Sequence, residues 1–314
     1  MRQVFVRTLM NLAKKDPRIV LATGDLGFKI FDDYRAQCHG QFFNLGSAEA
    51  SLIGMSAGMA LEGKIPFAYS IVPFLTMRPF EQIRNDVCFH KANVKLVGVG
   101  GGFSYGPNGP SHHGLSDVAL MRLLPEMTVL TPGDPHEALW AVETAYQHKG
   151  PVYIRLGRTG EELVHKEPIS LSYGKSIVVK EGEDIAILVS GLLLRNAVIA
   201  ADILQKQGLI ARVISFPSVK PLDEEMLKDT FDNFRCIFAI EEHSVCGGFG
   251  STIAEFGLAK KWVVQKLHII AAPDATIHTV GSHEYLRSLV GLAAEQIAQK
   301  ILTIIKEPCL QIVK

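Results

Sequence analysis

Glu49 follows Gly46-Ser47 where an apolar stretch of small residues begins. Ser47 has the chemistry of an N-cap, so the sequence predicts a helix with Glu49 in its first turn. Spacing alone makes Glu49 a solvated acid that complements the helix dipole; a working acid is the other reading. Along the same helix Ala50, Gly54, Ala57, Gly58 and Ala60 leave room for another backbone to approach. A second candidate is the pair His112-His113 inside GPNGPSHHGLSD. Adjacent loop histidines point in different directions, which argues against one shared metal. Proton transfer by one of them, oriented by Asp117, stands against ordinary loop histidines.

Three glycine-containing strings invite other chemistry. Gly98-Val99-Gly100-Gly101-Gly102 follows a predicted strand, but Phe103 stands where a dinucleotide fingerprint needs its third glycine. Gly247-Gly248-Phe249-Gly250 follows a strand and opens a helix, so its amides either hold an anion or form a tight turn that lets the helix pack closely. Gly54-Met55-Ser56-Ala57-Gly58 spells the string of a hydrolase nucleophile elbow. An elbow needs a sharp strand-to-helix turn, and this string lies inside a predicted helix. Neither a Walker loop nor a His-Glu-x-x-His helix is present in the sequence.

The elements that must position these residues alternate in type. Apolar runs at 19–23, 66–72, 94–100, 127–132 and 151–157 read as buried strands, and 47–62, 78–91, 115–124 and 134–148 as helices. The last has Asp134 as N-cap, Pro135 at the first helical position and Glu137 at the third. After a polar stretch at 158–176 the alternation resumes. Strands are predicted at 184–191, 210–216, 236–242 and 264–272, with helices at 194–207, 223–231, 248–261 and 284–305. The fold class expected is α/β: two consecutive domains, each a mostly parallel sheet flanked by helices, with a boundary near residue 170.

Composition narrows the function classes. The chain has 314 residues, 32 basic and 32 acidic side chains, and 47% hydrophobic residues. A balanced charge offers no basic surface for nucleic acid and no block for an anionic membrane. The longest uncharged apolar run, at 65–77, is thirteen residues with two prolines, short of the roughly 20 needed to cross a bilayer. The five cysteines, Cys38, Cys88, Cys236, Cys246 and Cys309, are far apart with no Cys-x-x-Cys pair. That spacing fits reduced thiols better than a disulfide frame or a zinc site, and with no secretion signal the expected location is cytoplasmic.

The segments FFNLGSAEASLIGMSAGMALEGKIPF, YSIVPFLTMRPFEQIRNDVCFHKANVKLVGVGGG, GPNGPSHHGLSDVALMRLLPEMTVLTPGDPHEA, GPVYIRLGR and EEHSVCGGFGS occur in that order over nearly the whole chain. In combination they resemble the C-terminal half of transketolase-like thiamine diphosphate enzymes. The resemblance implies a pyrimidine-binding domain at 1–165, a linker at 166–174 and a transketolase C-terminal-like domain at 175–314. That family also uses a domain with a Gly-Asp-Gly motif for the diphosphate and its metal. Here only Thr23-Gly24-Asp25-Leu26 appears, which looks like the acidic turn of the pyrimidine domain. The implied enzyme is split. A separate N-terminal, diphosphate-binding subunit brings most of the Mg2+ site, self-association gives α2β2, and no metal ligand is assigned to this chain.

The resemblance also assigns residues. Glu49 would bond the aminopyrimidine ring nitrogen of thiamine diphosphate, and Phe74 would stack on that ring. Ile71 stands at the family's first aromatic position, leaving Tyr69 or Ile71 to line the other side, with Asp25 in the acidic turn. His112 matches the substrate-loop histidine, with Asp117 able to hold its tautomer. Arg158 looks like the arginine that grips a sugar phosphate, and Arg155 is the alternative. Asn108 replaces an acid four places before His112, and Gly100 replaces a histidine of phosphopentose transketolases, which predicts a roomier pocket with one donor fewer. The implied activity is two-carbon ketol transfer between sugars or sugar phosphates. The rivals are the β chain of a 2-oxoacid dehydrogenase, a deoxyxylulose-phosphate-synthase-like enzyme, and a non-enzymatic nucleotide-binding or regulatory subunit.

Overall fold

Parallel strands are covered on both faces, so they read as unbroken apolar runs rather than alternating ones. The computed structural model describes residues 1–306, so Cys309 and the end of the expected second domain lie outside the described residues. The first sheet contains β1 (Ile19–Thr23), β2 (Phe42–Asn44), β3 (Ile65–Ile71), β4 (Lys95–Val99), β5 (Thr128–Leu130) and β6 (Val152–Leu156). These are parallel in the order β5-β6-β4-β3-β1-β2. Then follow β7 (Ile177–Lys180), β8 (Ile185–Ser190), β9 (Ala211–Ser215), β10 (Ser218–Lys220), β11 (Ile237–Ser244) and β12 (Leu267–Ala272). Five of these form the second sheet, β12-β11-β8-β9-β7, with β7 antiparallel at its edge. β10 instead crosses back and pairs antiparallel with β5, at the edge of the first sheet.

The helices of the first half are α1 (Arg2–Ala13), α2 (Asp32–Gln37), α3 (Glu49–Leu61), α4 (Val72–Met77), α5 (Phe80–Gln82), α6 (Asp117–Leu123) and α7 (Pro135–Gln147). Those of the second are α8 (Leu194–Gln205), α9 (Glu224–Asn233), α10 (Phe249–Ala259), α11 (His283–Leu289) and α12 (Ala294–Ile305). The start of α7 is capped as its sequence dictates: the Glu137 amide donates to Asp134 Oδ1 at 2.9 Å, with Pro135 in the first turn.

Several boundaries differ from the sequence pattern. Helix α3 begins at Glu49 itself, with Ala48 rather than Ser47 at the N-cap and no side-chain cap. The helix expected at 78–91 starts earlier, directly off β3, because Pro73 in the first turn of α4 ends the strand and is pre-set for a helix. It then passes through α5 into a π-helical segment, Ile83–Phe89. The long helix expected at 284–305 is two, broken at Gly291, whose φ of 75° suits glycine. Three short edge strands, β2, β7 and β10, lie outside the runs that the sequence marks. The halves share a core: one apolar cluster joins Leu52, Leu96 and Tyr153 to Leu188, Phe216 and Phe249.

Candidate active site

In open parallel sheets, ligands bind beyond the carboxyl ends of the strands. Glu49, Phe74, His112 and Arg158 all come from segments at that end of the first sheet. Glu49 is only 3% exposed, so the solvated reading of its sequence position is overturned. Ser70, near the end of β3, donates to its Oε1 at 3.2 Å, and Arg78 donates to Oε2 at 2.8 Å. The Arg78 guanidinium also lies 4.3 Å over the Phe74 ring, so one cation neutralises the buried acid and stacks on the neighbouring aromatic. Gly24, just after β1, completes this corner: a Cβ there would lie 3.3 Å from Ser70 Oγ and 3.7 Å from Glu49 Oε1.

His112 meets Phe74 edge-on, with ring centroids 5.0 Å apart, and its Nδ1 is 3.0 Å from Ser111 Oγ. Burial and the nearby Arg78 charge lower its pKa below the usual imidazole value, which keeps the ring neutral near pH 7. His113 turns away, as expected of adjacent loop residues, and packs edge-on against Phe103 with centroids 5.1 Å apart. Tyr105 stands 6.1 Å from the His112 ring, and the half-buried Arg158 stacks 4.7 Å over Tyr105. Glu49, Arg78, Phe74, His112, Tyr105 and Arg158 thus form one continuous line of contacts.

Other expected members are placed differently. Asp117 does not orient His112: its Oδ2 accepts from Tyr153 Oη at 2.6 Å and from Arg155 Nε at 2.8 Å, all buried. Arg155 also donates to the Gly114 and Glu242 carbonyls. With Nε and Nη2 bonded within the protein and the side chain only 3% exposed, it is a structural cation rather than a phosphate grip. Tyr69 lies on the face of β3 opposite Ser70, between Phe5 and Phe31 at centroid distances of 5.7 and 4.9 Å. It therefore does not line the Glu49 corner, whereas Ile71 is half-buried at the junction of β3 and α4. Asp25 is exposed, and its carboxylate accepts from Asn44 Nδ2 at 3.0 Å rather than turning to Glu49. Asn108 is exposed on the loop that carries His112. The room expected at Gly100 is taken by Tyr105: a Cβ at Gly100 would sit 2.1 Å from Tyr105 Cδ2.

The competing motifs resolve into packing. Ser56 is buried within α3 and donates to the Leu52 carbonyl at 2.7 Å, so it is no nucleophile. The amides that open α10 are taken by the chain's own Glu241, which accepts from Phe249 and Gly250 at 2.7 and 2.8 Å. Arg78 and Tyr105 are the site residues that the sequence reading missed. The spacing of Phe74 and Arg78, four apart after a helix start, is the one local signal for the first.

Residues 1–160 match the family of the transketolase pyrimidine-binding domain, and 174–297 match that of the transketolase C-terminal domain. A putative transketolase C-terminal section from Methanocaldococcus jannaschii is 34% identical over 310 residues, covering 98% of this chain and 96% of the relative. An apulose-4-phosphate transketolase subunit from Phocaeicola vulgatus is 32% identical, covering 98% and 97%. A solved structure described as a split gene transketolase, an inactive β4 tetramer, is 34% identical and superposes with a TM-score of 0.88 over 96% of this chain and 97% of that one. With both domains matched in order around a buried first-turn glutamate, the chain belongs to the transketolase family.

Proposed function

We propose that this chain is the aminopyrimidine-side subunit of a thiamine diphosphate-dependent transketolase that moves a two-carbon ketol unit between sugars or sugar phosphates. A separate subunit holds the diphosphate and Mg2+, and two copies of each make α2β2 in the cytoplasm. The observation that carries the reading is Glu49, a buried carboxylate beside Phe74 and within one contact line of His112 and Arg158. Relatives that span the whole chain and are named as a transketolase section and a transketolase subunit support the split arrangement.

The residues present fit the aminopyrimidine half of the cofactor. Each Glu49 oxygen accepts one hydrogen bond here and has a further lone pair, and Gly24 keeps open the space that a side chain would fill. Thiamine diphosphate supplies a thiazolium carbon acid that adds to a carbonyl and holds the electron pair of the fragment being moved. Glu49 bonds the ring nitrogen of the aminopyrimidine and favours its imino tautomer. Phe74 offers the stacking face, worth about 0.5–1.5 kcal/mol beyond area burial. The neutral His112 ring hydrogen-bonds substrate oxygens, Asn108 lies on the rim of the same loop, and Arg158 supplies a planar fork for a phosphate. Helix α3 contributes to assembly: a Cβ at Gly54 or Gly58 would meet nothing within 4 Å in this chain, leaving that face open to another subunit.

The test is Glu49→Gln in the complex reconstituted with its partner. Turnover should fall to background while assembly, followed by size-exclusion chromatography with light scattering, is unchanged; near-wild-type activity removes the mechanism. Decarboxylation of a 2-oxoacid by the wild-type complex, without ketol transfer, would favour the dehydrogenase class.

A further inference from the structure

The loop that displays His112 is held by the second domain of the same chain. Phe103, fully buried, inserts from this loop into the apolar core of that domain beside Ile187, Phe238 and Leu286. Its amide donates to Glu242 Oε1 at 2.7 Å. Glu242 lies on β11 and is wholly buried, and it also accepts from His283 at 2.6 Å and from Arg287 Nε and Nη2 at 2.9 and 2.7 Å. Gly102, with φ of 62°, touches the same carboxylate: a Cβ there would lie 2.4 Å from Glu242 Cδ. Gly102 and Gly114 exchange two backbone hydrogen bonds of 2.8 Å, closing the loop around His112. The Ser244 amide donates to the Leu115 carbonyl at 2.9 Å, and Gly106, at the far end, packs against the Gly281 carbonyl.

A buried carboxylate that touches one backbone amide and is itself held by two side chains of α11 transmits the position of that helix to the loop. Burial alone would raise the Glu242 pKa, but Arg287 and His283 outweigh it and hold the carboxyl well below the usual range, so the group stays charged. Removing the charge takes from the buried Arg287 its buried counter-ion and leaves it only the exposed Glu284.

We propose that Glu242, gripped by His283 and Arg287, is a positioning residue for substrate: the second domain sets where His112 stands, through the Phe103 amide. The proposal rests on reading His112 as a substrate contact. It predicts that Glu242 acts on sugar binding and not on the cofactor corner, since the Glu49 contacts, Ser70 and Arg78, are not part of the clamp.

The experiment uses the full chain reconstituted with its partner. Glu242→Gln should raise the sugar KM at least 10-fold while the thiamine diphosphate Kd stays within twofold. Hydrogen exchange at amides 101–114 should quicken at least 10-fold. His283→Ala removes the half-exposed partner only and should give a folded protein with a smaller loss of the same kind, about threefold in KM. Sugar KM within twofold of wild type in His283→Ala and in folded Glu242→Gln, or unchanged exchange at 101–114, overturns the proposal. If the wild-type complex transfers no ketol unit, the functional reading falls instead, and loop exchange still decides whether the clamp exists.

Discussion

At the scale of single residues, burial first and the Arg78 charge second set the titration of His112. Its depressed pKa places the midpoint of protonation, where half the rings have lost their neutral form, below the ordinary value of 6.5. The acid limb of kcat/KM should therefore lie under pH 6.5. Arg78→Gln removes one of the two causes and should shift the His112 midpoint upward, read by NMR titration of the ring; an unchanged or lower midpoint contradicts the account. Tyr105 makes a second prediction. Tyr105→Ala removes the face on which Arg158 rests, an interaction worth about 0.5–2 kcal/mol. KM for a phosphorylated sugar should accordingly rise by about 2- to 30-fold, with little change in the thiamine diphosphate Kd. The identities of Glu49, Phe74, His112 and Arg158 were legible because each stands inside a segment that resembles a family motif. The burial of Glu49 was not: its bonding partners lie 21 and 29 residues away, where helical periodicity says nothing. The Asp117–Arg155 pair misled for the same reason. Local spacing suggested an orienting acid, the family resemblance offered Arg155 as an alternative phosphate grip, and tertiary contact joins the two to each other.

At the scale of elements, the strands and most helices were legible from apolar runs, because a strand covered on both faces has little choice of residue. The turn into α10 was ambiguous, since a glycine-rich strand-to-helix junction serves an anion or a packing contact equally well in sequence. The structure decides by supplying an internal anion, Glu241, on the first amides of α10. Glu241→Ala should cost about 1–2 kcal/mol through the lost cap, measured by urea unfolding of the isolated chain, and an added carboxylate such as acetate should not restore it because the site is buried. Lys95 is a separate case at the start of β4. It is fully buried, with Nζ bonded to Asn93 Oδ1 and to the carbonyls of His148 and Gly150 at 2.7–2.8 Å. Burial pushes its pKa down to about 7. A lysine at the start of an apolar strand has no sequence signal that distinguishes this role from an exposed charge.

At the scale of the molecule, the two halves read as separate domains and fold as interlocked ones. β10 comes from the second half and closes the edge of the first sheet beside β5. Buried hydroxyls pair across the halves, Thr131 with Ser190 at 2.6 Å, and Glu137 of α7 accepts from Ser215 at 2.6 Å. Lys220 donates to the Leu124 carbonyl at 2.6 Å, and Arg122 to that of Gly247 at 2.6 Å. Together with the shared apolar cluster, these contacts leave neither half with a surface it can expose cheaply: unpaired strand edge and stranded buried acids would face water. The chain should therefore unfold in one calorimetric transition whose van't Hoff and calorimetric enthalpies agree. A fragment of residues 1–172 lacks β10, Ser190, Ser215 and the Glu242 clamp. It should show no cooperative melt and should associate through the bared β5 edge. Two resolved transitions in the full chain, or a sharp melt of that fragment, would mean that the halves are independent units. The second domain would then be an appendage to the active site rather than part of its scaffold.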